Sequence, residues 1–286
     1  MSRALPLSEV PPFRQGDTSH SALSGRRFRA TAGAFDGEAE RRAIDALARW
    51  VEITYAQALA QRPSMHVYIR HLPDGIQRQI DGLRMHPRIQ DAILAQFNQR
   101  ARLVPMAHTD ELYVSHYNKD GGGDQGLFDR HYDGNLGFLR FVSVVRALIY
   151  LQSDRSYTVV FADSGLRQAF GTYDWGLLDF HRELHWVEGE YSPGGAQRIL
   201  LKCNYLVAPR GAEWAVELAM AANTAVLYVV KAAMEYSKSP RTPAQVVVGW
   251  VCNAARRLNN VHPALPWALL AAAAVAAVAA LVAAVR

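Results

Sequence analysis

His131 and Asp133 stand two apart in "RHYDG", shortly after a run of glycines at positions 121–123. In an extended strand, residues i and i+2 point to one face, so this imidazole and this carboxylate share a side. Together they supply two of the three ligands of a facial divalent-metal site, which needs one more imidazole. A hydrogen-bonded His–Asp pair at a strand end has the same spelling, and the short pattern recurs at His108 and Asp110. The third ligand therefore decides the matter. Two histidines downstream qualify, His181 and His185 in "LLDFHRELHWVEGEY". Arg198 then opens the apolar run "RILLKCNYLV" and places a cation at a strand start.

The elements around these residues change character along the chain. Apolar residues at Ile44, Leu47, Val51, Tyr55 and Leu59 recur at helical spacing, and Pro63 closes the stretch. A second helical stretch spans residues 77–100 and is interrupted near Pro87. From 112 to 207 the chain turns to short β-rich runs: "LYVSHY", "FVSVVRALIYL", "YTVVFAD", "LLDFH", "LHWVEGEY" and "RILLKCNYLV". Strands at this spacing, broken by Gly, Asp and Ser, predict a jelly-roll sandwich. Two further helical stretches follow, at 212–236 and 243–258.

Read in order, these pieces resemble a family. Leu112-Tyr113-Val114-Ser115-His116-Tyr117 and the glycine turn lead to His131-Tyr132-Asp133. Next come Ala147-Leu148-Ile149-Tyr150-Leu151, His185-Trp186-Val187 and Gly195-Ala196-Gln197-Arg198. The sequence is similar to the Fe(II)/2-oxoglutarate-dependent dioxygenases, most closely their prolyl-4-hydroxylase-like branch. The resemblance implies an α+β fold, with a double-stranded β-helix (jelly-roll) core and flanking helices. It implies His131, Asp133 and His185 as the catalytic iron ligands. His185 is preferred over His181 because "H-W-V" matches the family's His-x-Val. Arg198 is implied to hold the remote carboxylate of 2-oxoglutarate, with Tyr117 and Tyr150 adding hydrogen bonds to the same cosubstrate. His116 falls to a supporting or core role.

The implied chemistry uses Fe(II), 2-oxoglutarate and O2, with ascorbate a candidate accessory. Decarboxylation of the cosubstrate yields succinate and an oxidant that hydroxylates a C–H bond. There are departures from the family pattern. The gap from His185 to Arg198 is lengthened by "SPGG", and the turn before His131 is enlarged. "SDRSYTVVF" keeps Thr158 and Phe161 but lacks the glycine pair expected before them. These differences leave the substrate open between a prolyl or other protein residue and a small or lipid-like molecule. Relatives that repair alkylated nucleic acid carry a second arginine where this chain has Asn204, which speaks against that activity. An iron enzyme using another cosubstrate, and a membrane-anchored binding or adaptor protein on a degenerate dioxygenase fold, are the alternatives.

Composition bounds the rest. The 286 residues are half hydrophobic, ample for one packed core. A net charge of +5 is thinly spread, in pairs such as Arg26-Arg27, unlike the dense stripe of a nucleic-acid binder. Cys203 and Cys252 have neither metal-type spacing nor a disulfide framework, which fits reduced thiols. Residues 1–36 read as a disordered leader without a secretory h-region. The dioxygenase domain is expected over 37–207, its β core at about 110–207, and C-terminal helices over 208–260. Residues 267–285 carry no charge and are long enough to cross a bilayer as a helix, with Trp267 at the interface. A transmembrane tail anchor over 265–285, with the catalytic domain in the cytosol, is the expectation.

Overall fold

The computed structural model describes residues 28–61, 64–97, 101–115, 130–134, 143–189, 197–209 and 241–261, with scattered positions between 211 and 236. Two antiparallel sheets form its centre. The larger runs β1 (Thr31–Ala34), β8 (Asp174–Asp179), β5 (Ser143–Gln152), β10 (Arg198–Pro209), β4 (Glu111–Ser115) and β2 (Ser64–Tyr68), with β3 (Ala101–Pro105) also paired to β10. The smaller runs β7 (Leu166–Gly171), β6 (Asp154–Phe161) and β9 (His185–Glu188). This mixture of helices and antiparallel sheets fits a jelly-roll core.

The two faces of the larger sheet follow from strand alternation. On β5, Val145, Ala147, Ile149 and Leu151 point outward, as do Ile199, Leu201, Cys203, Tyr205 and Val207 on β10. They pack against α1 (Glu38–Gln61), α2 (Asp74–Arg84) and α3 (Pro87–Leu94), whose inward residues include Ile44, Leu47, Val51, Ile80, Leu83, Ile89 and Ile93. The predicted interruption near Pro87 is a helix start: proline suits the first turn, and the His86 ring caps it by accepting from Arg88 N at 3.3 Å. The intervening residues of β5 and β10 face the smaller sheet. There Leu148, Tyr150 and Leu200 meet Val159, Phe161, Phe170 and Val187.

Among the described residues, a strand forms within each of the expected runs of the 112–207 region. Four others were not foreseen: β1, β2, β3 and β7. The first corrects the leader, because residues 31–34 pair with β8 and the flanking Phe28 and Phe35 are buried. Apolar burial outweighs the proline, serine, glycine and arginine content that suggested disorder. β2 and β3 likewise extend the sheet before residue 110. The helix at 243–258 is α4 (Pro243–Val261). Most of the stretch at 212–236, and all of the tail at 265–285, lie outside the described residues. Among the described residues, no helix is long and apolar enough to cross a membrane.

Candidate metal centre

His131 and His185 are brought together by the backbone. They form an antiparallel bridge in which each amide N–H donates to the other's carbonyl at 3.0 Å. Residues opposed in this way project to one face, and the two imidazole centroids lie 4.5 Å apart. The bridge adds His131 to the free edge of β9, whose other edge pairs with β6. Asp133 follows two residues on, with its carboxylate 3.8 Å from His131 Nε2 and 3.6 Å from His185 Nε2. One donor atom from each of the three residues lies within 4.8 Å of the other two.

The backbone also fixes where the loop turns. Gly134 N donates to Phe180 O at 2.8 Å. A Cβ at position 134 would stand 2.0 Å from His181 Nδ1 and 2.6 Å from the Phe180 ring, so only glycine allows this approach. His181 is fully buried behind Gly134 and is not among the three grouped donors. Register separates the two histidines: His185, not His181, is the residue bridged to His131.

The protonation states suit a cation. His185 Nδ1 lies 3.0 Å from Glu183 O, so it carries the proton and leaves the Nε2 lone pair facing Asp133. Burial pushes the His185 imidazole down to about 4, so it is neutral at pH 7. Burial alone would raise the Asp133 carboxyl, but Arg146, His185, Lys202 and His131 outweigh it and hold the group well below the usual carboxylate range. Two imidazoles and an ionised carboxylate, converging with the carboxylate no nearer than 3.6 Å to either Nε2, are a donor set suited to a divalent first-row metal.

Two other predicted residues, Arg198 and Tyr150, fall on the inner sheet face. Arg198 opens β10, is 5% exposed, and donates from Nη2 to the Tyr150 hydroxyl at 3.2 Å. Tyr150 is buried and stacked on Phe170 at 4.6 Å between centroids. Tyr117 and His116 lie outside the described residues. The structure brings His131, Asp133 and His185 together at one point, and Arg198 with Tyr150 on the same face of the same sheet. His108 and Asp110, the second His-x-Asp, sit in and just after a 3-10 turn, and Asp110 accepts from Arg84 at 2.9 Å instead of joining this group.

Sequence reasoning missed two cations. Arg146 of β5 donates from Nη1 to Asp133 at 2.8 Å. Lys202 of β10 lies with Nζ 4.7 Å from the Tyr113 ring centre, and burial lowers its ammonium pKa against the opposing pull of Asp133. A signal existed. Each is a cation flanked by apolar residues inside a strand, and a charge there must find a partner.

The sequence matches no protein-family model and no curated protein. Several solved structures are similar in backbone. AviO1 from Streptomyces viridochromogenes Tue57 shares 13% identity with a TM-score of 0.43, over 67% of this chain and 94% of that one. A prolyl 4-hydroxylase from Phytophthora capsici shares 16% at a TM-score of 0.41, over 64% of this chain and 59% of that one. HygX from Streptomyces hygroscopicus, solved with nickel and 2-oxoglutarate, shares 15% at a TM-score of 0.38, over 64% and 82%. At these values the likeness is one of backbone course alone.

Proposed function

We propose that this chain is an Fe(II)- and 2-oxoglutarate-dependent dioxygenase that hydroxylates a protein residue, or a small or lipid-like molecule. The observation that carries this reading is the convergence of His131, Asp133 and His185 within 4.8 Å. These three would hold the iron, leaving one side of the metal for 2-oxoglutarate and O2. When bound, that set supplies the oxidant for C–H hydroxylation, with succinate and carbon dioxide released.

This chain's own residues then have defined tasks. The Glu183 carbonyl keeps the His185 proton on Nδ1. The Arg198 guanidinium, buried and in contact with the Tyr150 hydroxyl, is the cation for the cosubstrate's remote carboxylate, which it can take bidentately. Phe161, Phe170, Tyr150 and Val187 wall the inner face and exclude water.

The test is an anaerobic titration with Fe(II) and then 2-oxoglutarate, following the visible charge-transfer band of chelated cosubstrate. The band should form in the wild type, vanish in Asp133→Ala and weaken in Arg198→Ala. A folded wild-type protein without the band would instead favour a binding or adaptor role on an inactive fold. Turnover independent of 2-oxoglutarate would favour an iron enzyme with another cosubstrate.

We also infer that the chain associates with a membrane. What supports this is the uncharged run at 267–285 and the composition of residues 237–286, which contain no Asp or Glu.

A further inference from the structure

The geometry points to Arg146 as a positioning residue that claims one oxygen of Asp133 and so limits that carboxylate to a single bond to the metal. The inference rests on the metal-site reading above and concerns how many positions that metal keeps open.

Arg146 projects from the middle of β5, a ten-residue strand that is otherwise apolar around it and buried almost throughout. The residue is 6% exposed. Its guanidinium has three fixed neighbours. Nη1 donates to Asp133 Oδ2 at 2.8 Å, Nε donates to Asn204 Oδ1 at 2.9 Å, and Cζ lies 4.3 Å from the centre of the Phe180 ring. A planar fork held along two directions and stacked on a ring has little freedom.

Its tether is held in turn. Asn204 pairs with Arg146 in the β5–β10 register. Asn204 donates from Nδ2 to Thr109 O at 3.2 Å and to Thr109 Oγ1 at 3.1 Å, and its amide N–H reaches Asp110 Oδ1 at 2.8 Å. Asp110 Oδ2 accepts from Arg84 Nη1 at 2.9 Å, and the Arg84 carbonyl accepts from the Tyr205 hydroxyl at 2.7 Å. A buried polar chain thus runs from α2 through the sheet to Asp133. In this chain each side chain orients the next.

The consequence for a metal is stereochemical. A free carboxylate can bind through both oxygens and would take two positions. With Oδ2 accepting from Arg146, only Oδ1 keeps its full donor strength toward the metal. One carboxylate oxygen and two imidazoles then occupy three positions of an octahedron and leave three. The guanidinium also opposes a cation electrostatically, so its purpose is not to tighten metal binding. Asn204, which replaces a second arginine in the sequence pattern, serves here as the anchor that aims Arg146.

The experiment uses the full chain loaded with Mn(II), whose effect on water-proton relaxation reports how many water molecules the metal holds. Wild type and Arg146→Met are compared for that number and for 2-oxoglutarate affinity. Arg146→Met should keep the metal, lose about one bound water to the second carboxylate oxygen, and bind 2-oxoglutarate about tenfold or more weakly. Asn204→Ala keeps the guanidinium charge, loosens its aim, and should move both readouts the same way by less; it also serves if Arg146→Met does not fold. The inference is overturned if a folded Arg146→Met matches wild type in both readouts, or if it loses the metal altogether. A wild-type protein that takes up no Mn(II) would instead bring down the metal-site reading beneath it.

Discussion

His181 and His185 lie four residues apart and are both buried, yet their surroundings give them different work. His185 is bridged to His131 and faces Asp133, whereas His181 packs behind Gly134. Burial pushes the His181 imidazole down to about 3, against an ordinary value of 6.5. Between those values the unfolded chain holds a proton that the folded chain does not. Each unit of acidification therefore costs the fold about 1.4 kcal/mol through this group. Asp110 and Glu183 act in the opposite sense: burial raises their carboxyls to about 6 and about 7, so the folded chain keeps protons there that the unfolded chain releases. Because these contributions offset, the informative quantity is a difference. The stability advantage of wild type over His181→Leu should shrink steadily from pH 7 to pH 5, as read from urea midpoints. A difference independent of pH would show that the ring is not held neutral by the fold. Gly134→Ala tests the same packing from the other side. The added methyl meets His181 at 2.0 Å, and displacing that ring should destabilise the protein by about 1–3 kcal/mol. It should also weaken divalent-metal uptake by moving Asp133, which a metal titration on the folded variant would detect.

Elements carry these residues, and β1 shows how an element can escape a reading of composition. Thr31–Ala34 is four residues of small side chains, with no alternation to mark it as a strand. Its evidence lies in its partners. Gly33 opposes Trp175 so closely that a Cβ would stand 2.2 Å from the indole, and Phe35 N donates to Tyr173 O at 2.9 Å. Removing residues 1–36 should therefore expose the β8 edge and forfeit the burial of Phe28 and Phe35, about 2–3 kcal/mol for each. A chain beginning at residue 27 should melt close to the intact one, while a chain beginning at 37 should melt well below it or aggregate. Equal melting of the two would return the segment to the leader. The contrast explains what the sequence disclosed. β5 and β10 are long runs of β-branched and aliphatic residues, α1 repeats at helical spacing, and both were legible for that reason. The short strands β1, β2 and β3 are specified by pairing with distant residues, which local pattern does not carry. The same holds within the site. His131, Asp133 and His185 were legible as an ordered set, but the Arg146–Asn204 contact joins two strands 58 residues apart and needed the sheet register to appear.

At the scale of the whole molecule, charge and apolarity are unevenly distributed. The sheet domain buries its apolar residues, whereas α4 leaves Val246, Val247, Trp250 and Val251 more than half exposed. From residue 237 onward the chain carries Lys238, Arg241, Arg256, Arg257 and Arg286 and no acidic residue, followed through 267–285 by an uncharged run. Cations beside apolar surface favour an anionic lipid headgroup layer, each contributing on the order of 1 kcal/mol near such a surface. Alanine dominates the run and inserts weakly, so the leucines and valines at 269, 270, 275, 278, 281, 282 and 285 supply most of the drive into hydrocarbon. The proposed membrane association then has two parts of different strength. The full chain should remain with the membrane fraction through alkaline carbonate extraction, because an inserted helix does not depend on charge. A chain ending at Asn260 should be released by carbonate, yet still sediment with anionic vesicles at low salt through α4, and let go as salt is raised. Trp250→Glu in the shortened chain should abolish that residual binding without changing its folding, since the indole lies outside the packed core. If the full chain is extracted as readily as the shortened one, no helix is inserted. If neither binds vesicles, the exposed apolar face of α4 has some other cover and the membrane assignment fails.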